Sequence, residues 1–167
     1  MAIDKETRAE SYVTGCGPRL SFYSLSDDFK ANRGQWVRLD TNGKLERADA
    51  ASHVLGILAA SCVSTTTDVS EGTPVYVAWS DIVFEAQVWH STAASAITAR
   101  NQKGKSYAIK LDAATNIDAV DIETAAAATD QCVINDWSRK DTLGDTNGRV
   151  RFTVNPANFQ LAKRIAH

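Results

Sequence analysis

The stretch QWVRLDTNGKLERA, residues 35–48, decides the fold class of this chain. Val37 and Leu39 stand on either side of Arg38, which is the alternation typical of a half-buried β-strand. Asp-Thr-Asn-Gly at 40–43 then supplies turn chemistry, because Asp accepts hydrogen bonds from nearby backbone N–H groups and Asn-Gly tolerates positive φ. The alternation resumes after the turn. The stretch therefore predicts a β-hairpin.

The same tetrapeptide recurs at 145–148, before the alternating run RVRFTVN. Asp, Asn and Gly in this order could begin a calcium loop, which needs ligand oxygens at alternating positions. Lys44 in the first copy and Arg149 in the second occupy such positions, and a cation there repels a metal ion. Two hairpin turns are therefore predicted, with no metal site.

The rest of the chain also has the grammar of short strands. Strands are predicted at 74–79, 82–90, 106–111, 117–122, 131–137 and 149–155, and a strand buried on both faces with a kink at Gly56 is predicted at 53–63. The strands at 74–79 and 82–90 are expected to form a hairpin or one bent strand, within an antiparallel meander over 35–90. Segment 91–105 is interpreted as a loop, 123–130 as a short helix or turn, and the tail after 155 as a last edge strand.

Roughly eight to ten short strands without a strong helix predict a mainly β fold. We expect an antiparallel β-barrel or sandwich, β-tulip-like in arrangement, as one domain over 34–167. Residues 1–33 are polar or mix Gly, Pro and Ser with isolated aromatics. They are interpreted as an extended N-terminal arm that lies on something else.

Composition restricts the function classes. The 167 residues are 44% hydrophobic with a net charge of −2, which gives no reason to expect nucleic acid or an anionic membrane as partner. No apolar run approaches the ~18 residues of a membrane helix, and the N-terminus lacks the apolar centre of a secretory signal. We expect a protein made in the cytosol and kept there or assembled there into something larger.

No motif for catalysis, a cofactor or a metal is found. The three cysteines are scattered without a CxxC pair and predict mostly buried thiols, and the histidines are equally dispersed. Phosphate-loop, dinucleotide and nucleophile-elbow motifs are absent. Asp118 and Asp121 are three apart, so on a strand they face opposite sides and do not converge as a glycosidase pair would. We therefore expect no enzyme, no cofactor and no metal.

A family resemblance begins at the residues already described. GQWVRLDTNGKLERADAASHVLGILAA followed by EGTPVYVAW is similar to small head-decoration (cement) proteins of tailed bacteriophages, in which a Gly-x-x-Val-x-Leu, Gly-Lys-Leu, Gly-Ile, Glu-Gly-x-x-Val progression marks a compact β-barrel. SYAIKLDAATNIDAVDIETAAAATDQCVINDW and GDTNGRVRFTVN similarly resemble phage capsid-associated proteins. Together these stretches lie within 34–155. The chain is longer than the smallest decoration proteins, and this leaves its oligomeric state open.

The resemblance implies a structural virion protein on the capsid surface, assembled in the host cytoplasm. Its partners would be the major capsid protein and itself, as a homotrimer, with no nucleic acid and no membrane. The arm would order on the capsid or on a neighbouring subunit, for example by adding a strand to an exposed edge, or its apolar side chains would pack on the chain's own barrel. These candidate capsid or subunit contacts are Tyr12, Leu20, Phe22, Tyr23, Leu25 and Phe29.

Two other function classes stay open at this point. A carbohydrate- or host-binding β-module would need an exposed, coplanar set among Trp36, Trp79, Trp89 and Trp137. A hydrolase on a β-sandwich would need two carboxylates that converge in a cleft.

Overall fold

The computed structural model describes residues 7–12, 20–50, 52–64, 72–79, 82–125 and 130–161. In these ranges the strands are β1 (Arg8–Tyr12), β2 (Leu20–Tyr23), β3 (Lys30–Ala31), β4 (Trp36–Leu39), β5 (Leu45–Arg47), β6 (Gly56–Leu58), β7 (Cys62–Val63), β8 (Thr73–Val77), β9 (Ile82–Trp89), β10 (Ser106–Asp112), β11 (Ile117–Ala125), β12 (Cys132–Trp137) and β13 (Arg149–Val154). Within the same ranges, helix is limited to 3-10 turns at Ala93–Ser95, Arg100–Gln102 and Pro156–Asn158 and a short turn after them. The predicted mainly β fold with little helix is confirmed.

Five strands close into a barrel. They pair in the order β9-β11-β10-β12-β13, and β13 pairs again with β9. The β9–β11 pairing is parallel and the others in this ring are antiparallel. β1 adds to β9 outside this cycle. Closing the sheet leaves no free edge around the ring.

A second, antiparallel sheet has the order β2-β8-β6-β4-β5. The chain that follows β2 runs to the opposite edge of this sheet. There Leu25 forms a parallel bridge with Leu45 of β5. Ser26 N donates to Leu45 O at 2.9 Å, and Leu45 N donates to Ser24 O at 2.8 Å. β3 and β7 form a separate two-stranded ribbon.

The hairpin predicted at 35–48 is confirmed as β4 and β5, with Leu39 opposite Leu45. Asp40 Oδ1 accepts hydrogen bonds from the backbone N of Asn42 and of Lys44, each at 2.8 Å. Gly43 takes the left-handed conformation with φ of 80°. Asp40 thus has the hydrogen-bond partners, and Gly43 the conformation, that their residue types favour.

The second DTNG is not a tight hairpin turn. β12 and β13 pair antiparallel, but the loop 138–148 joins them, and its end docks on other parts of the chain. Asn147 has φ of 54°, and its backbone N donates to Ala96 O at 2.6 Å. Its side-chain Nδ2 donates to Val88 O at 3.2 Å, while Gln87 Nε2 donates to Asn147 O at 2.9 Å. These contacts bind the loop to the end of β9.

β6 is buried along its whole length, as predicted for the apolar run around Gly56. A Cβ on Gly56 would lie 2.1 Å from the backbone O of Tyr76 in β8, so only glycine fits. The predicted strand at 53–63 is divided between β6 and β7, which lie in different sheets.

The predicted pairing of the strands at 74–79 and 82–90 is wrong. β8 pairs with β2 and β6 in the second sheet, whereas β9 belongs to the barrel. The meander is also wrong beyond the hairpin, since β6 pairs with β4 rather than with β5. A short apolar strand can pair with many partners. β9 pairs within the barrel, where both faces of β9 are buried.

Three further expectations have mixed outcomes. The loop at 91–105 is confirmed, with two 3-10 turns in it. Residues 123–125 continue β11 as a strand rather than as a helix or turn, and 126–129 lie outside the described residues. After β13 the chain forms a 3-10 turn and bridges Val54 with Phe159 instead of adding a regular edge strand.

One hydrophobic core joins the barrel and the second sheet. Trp36 of β4 packs on Phe84 of β9 and on Phe152 of β13, with ring centroids 4.9 Å and 5.8 Å apart. All three side chains are fully buried. The aromatic contact is what attaches the two sheets to one another at their centre.

The described parts of the predicted arm lie on these same sheets. β1 pairs with β9, β2 pairs with β8, and Leu25 and Ala31 belong to the core. Residues 1–6 and 13–19 lie outside the described residues.

Candidate functional site

The structure separates the six side chains predicted as contacts. Leu20 and Phe22 on β2 are 47% and 65% exposed. Tyr23 and Phe29 are partly buried against the core, and Leu25 is buried in it. Tyr12 ends β1, and its side chain lies outside the described ones. Two of the six are therefore open to a partner, and they lie on the same strand.

Leu20 and Phe22 belong to an apolar surface that crosses two strands. Leu20 lies opposite Tyr76 of β8, and Phe22 lies opposite Pro74. Opposed residues on neighbouring antiparallel strands present their side chains on the same face, as do residues two apart on one strand. We call the surface formed by Leu20, Phe22, Pro74 and Tyr76 the open face.

The open face is the uncovered end of a row that begins in the core. Tyr76 lies opposite Ile57, which lies opposite Trp36. Trp36 and Ile57 are 1% and 2% exposed, Tyr76 is partly buried, and Leu20 is 47% exposed. The row therefore leaves the cover of the barrel as it reaches β2. An apolar surface of this kind gains free energy when another protein surface covers it.

β2 is also the edge of its sheet over Leu20–Tyr23. It pairs with β8 on one side, and no other strand among the described residues pairs with it there. An edge strand presents backbone N–H and C=O groups to which an extended segment of a partner can pair. The open face and this edge together make the candidate site.

No protein-family model and no curated protein matches this sequence. The sequence predicts Leu20 and Phe22 only as separate candidate side chains, and the structure places both on the exposed strand β2.

A buried ionic cluster surrounds Glu85 of β9, and sequence reasoning missed it. Glu85 is 2% exposed and accepts a hydrogen bond from Ser138 Oγ at 2.6 Å. Lys140 Nζ and Arg149 Nη1 lie 3.2 Å and 3.3 Å from its Oε1. Arg149 also binds Asp141, with Nη2 2.6 Å from Oδ1. The polar residue inside an apolar strand was the available signal.

This cluster holds structure together rather than presenting a reactive group. Glu85 and Asp141 converge on the guanidinium of Arg149, and Lys140 adds a second positive charge beside Glu85. Ser138 Oγ donates its hydrogen bond to the same buried carboxylate of Glu85. The contacts fasten the loop 138–148 to β9 and β13, so the pair does not form the open carboxylate cleft that a glycosidase requires.

Asp118 and Asp121 diverge, as their spacing predicts. Asp121 Oδ2 lies 3.8 Å from Lys110 Nζ on β10. Asp118 instead faces the second sheet, where its Oδ2 accepts from Trp36 N and its Oδ1 from Arg47 Nη2, each at 2.8 Å. Burial raises the pKa of the Asp118 carboxyl, and the Arg47 charge and the two hydrogen bonds only partly oppose this.

The four tryptophans lie in four different surroundings, so they do not form one sugar-binding platform. Trp36 is in the core, and Trp79 packs edge-on against Phe159 with centroids 5.3 Å apart. Lys110 Nζ stands 3.6 Å above the ring of Trp89, and Lys103 Nζ is 5.8 Å from that of Trp137. These four side chains thus do not form the exposed, coplanar set that would favour a carbohydrate-binding module.

The described residues contain no group of three or more His, Cys, Asp or Glu placed to hold a metal ion. Cys132 is fully buried, its Sγ donates to Tyr107 O, and burial raises the pKa of its thiol strongly. Cys62 is half-buried, with its thiol pKa also raised by burial, and Cys16 lies outside the described residues.

In the described part of the chain no helix has the length and apolar character to cross a membrane.

Proposed function

We propose that this protein is a structural virion protein that binds the outer surface of a capsid and stabilises the mature shell by bridging neighbouring capsomers. The observation that supports this best is the open face, because Leu20 and Phe22 are large apolar side chains held uncovered on an edge strand. The resemblance of residues 34–155 to decoration proteins supports the major capsid protein as the partner. The same resemblance implies a homotrimer, and the proposed protein acts in that form.

The energetics of the open face suit a protein that acts in many copies. Full burial of one Leu or Phe side chain contributes about 1.5–3 kcal/mol, so one open face gives a modest affinity. Several faces in one oligomer multiply that effect when they engage the lattice together. Binding to the expanded lattice and not to the unexpanded one stabilises the mature state by mass action.

The experiment is co-sedimentation of the purified protein with expanded and with unexpanded phage heads of the same virus. The protein is expected to sediment with the expanded heads. Phe22→Glu places a charge in the contact and is expected to weaken this binding at least about tenfold. Val63→Glu is the matched control, because Val63 is 62% exposed on β7, which belongs to the separate ribbon with β3 and not to the sheet of the open face.

The melting temperatures of both variants, followed by circular dichroism, show whether each is folded. Light scattering of the free protein measures its mass and so tests the trimer. Failure of the unsubstituted protein to bind either kind of head would overturn the capsid function. Equal loss of binding in both variants would contradict the open face as the contact.

A further inference from the structure

β1 and β11 lie on the same side of β9, and β13 lies on the other side. Phe84 and Glu85 pair with β1 and also with β13, so these two strands lie on opposite sides of β9. Val88 pairs with β11, and its backbone N donates to Gly148 O, next to β13. β11 is therefore on the same side as β1. It covers the end of β9 and leaves the first half, which we call the β1 slot, Ile82–Glu85.

β1 fills the slot through a short, irregular ladder. Arg8 lies opposite Glu85 and Tyr12 opposite Ile82, but the register shifts between Ala9 and Ser11. A bulge of this kind leaves one residue unpaired and disrupts the ladder locally. The described neighbour Thr7 adds one hydrogen bond, from its Oγ1 to Asp118 O at 3.1 Å. The described attachment thus includes the main-chain pairing and the Thr7 hydrogen bond, and the same segment of any copy can make both.

The composition of the segment that joins β1 to β2 is compatible with exchange of this strand. The connection is VTGCGPR, residues 13–19, with two glycines and a proline among seven residues. A strand that leaves its own slot and enters that of another copy makes the same contacts as before. The balance between the two forms then depends on the connection and on protein concentration, which makes exchange a low-cost route to an oligomer.

We propose that β1 is exchanged between copies, so that residues 8–12 of one chain occupy the β1 slot of another. The slot fits this strand in length, in register and in the position of the bulge, and the same strand of a second copy meets those requirements. Passing the strand around a ring of copies closes the oligomer. This inference concerns self-association and does not depend on capsid binding.

The test places single cysteines at an opposed pair, Ser11 and Val83. Opposed residues of this kind are close enough for a disulfide. Ser11→Cys and Val83→Cys are made in separate chains that also carry Cys16→Ser and Cys62→Ser, while the buried Cys132 stays. The two proteins are mixed, kept at high concentration and oxidised with oxidised glutathione. Non-reducing gels and mass spectrometry of tryptic peptides then identify the disulfides.

Exchange is expected to give a disulfide between position 11 of one chain and position 83 of the other, well above the level of the Ser11→Cys and Val63→Cys mixture. A chain that carries both substitutions is oxidised in parallel, and exchange is expected to link it into covalent oligomers. Intrachain disulfides in that double variant, with none between the mixed chains, would overturn the proposal. Ser11→Cys mixed with Val63→Cys, at an exposed position not opposed to β1, measures random collision. Circular dichroism of each variant confirms that it is folded.

Discussion

At the scale of single residues, Asp118 shows how a buried charge joins the two sheets at a cost. Its carboxylate binds Arg47 and the backbone of Trp36, yet burial still raises its pKa above the ordinary value of 3.8. Because the pKa is higher in the folded chain than in the unfolded one, the folded protein binds the proton more tightly. The resulting contribution to stability is complete below the unfolded pKa and is lost as pH rises through the folded pKa.

Asp118→Asn is expected to become more stable relative to the unsubstituted protein as pH rises from about 4 to 7. The amide keeps acceptor capacity for Trp36 N and removes the titration, so the variant lacks the loss that the carboxylate undergoes. The relative change is about 1.4 kcal/mol for each unit by which the folded pKa is raised. Urea unfolding across this pH range measures it, with Asp27→Asn, at an exposed carboxylate, as control. A variant that loses relative stability with rising pH would show that the attraction of Arg47 outweighs burial.

At the scale of elements, the repeated DTNG shows that one tetrapeptide can serve two different purposes. In the β4–β5 hairpin, Asn42 is exposed and the turn depends on the Asp40 carboxylate. Although partial burial opposes it, hydrogen bonds from Lys44 and Asn42 lower the pKa of Asp40. In the loop 138–148, Asn147 is buried, has positive φ and reaches the end of β9.

The same substitution in both copies should separate these purposes. Asn147→Ala removes the polar side chain that makes the left-handed region tolerable for Asn, together with its hydrogen bond to Val88 O, so the free energy of unfolding is expected to fall by about 2 kcal/mol. Asn42→Ala is expected to cost only about 0.5 kcal/mol. Asn147→Gly keeps the conformation and should cost about 1 kcal/mol. Urea denaturation of the three variants gives these values, and equal costs for both alanine variants would contradict the distinction.

Elements whose partner is close in sequence could be predicted, and those with distant partners could not. The β4–β5 hairpin and the alternation of β13 follow from local residue types, and both are confirmed. The alternation of β9 was also visible, but its partners β1, β11 and β13 are far away along the chain. Nothing local says that Glu85 meets Ser138 and Arg149 and becomes buried.

The candidate site shows the same limit. Leu20, Phe22 and Leu25 look alike in sequence as isolated apolar residues of a polar segment. The structure buries Leu25 against Leu45 and leaves the other two exposed, because the row that begins at Trp36 passes beyond the barrel before it reaches β2. Which side chains are covered thus depends on where the barrel ends, and this is a property of the packed sheets.

At the scale of the whole molecule, the shared core predicts that the barrel and the second sheet unfold together. Trp36 from one sheet is in contact with Phe84 and Phe152 from the other. Circular dichroism reports all strands, whereas tryptophan fluorescence includes Trp36 at the junction. We expect both signals to show one transition in urea with the same midpoint.

Phe152→Leu tests this coupling, because it removes part of a ring from the junction. It is expected to lower the free energy of unfolding on the order of 2 kcal/mol and to move both midpoints equally. Phe22→Leu is the matched control at an exposed ring, 65% accessible, and is expected to leave the free energy of unfolding within about 0.5 kcal/mol of that of the unsubstituted protein. If the two signals separated in Phe152→Leu, the barrel and the second sheet would be independent folding units joined by the chain alone.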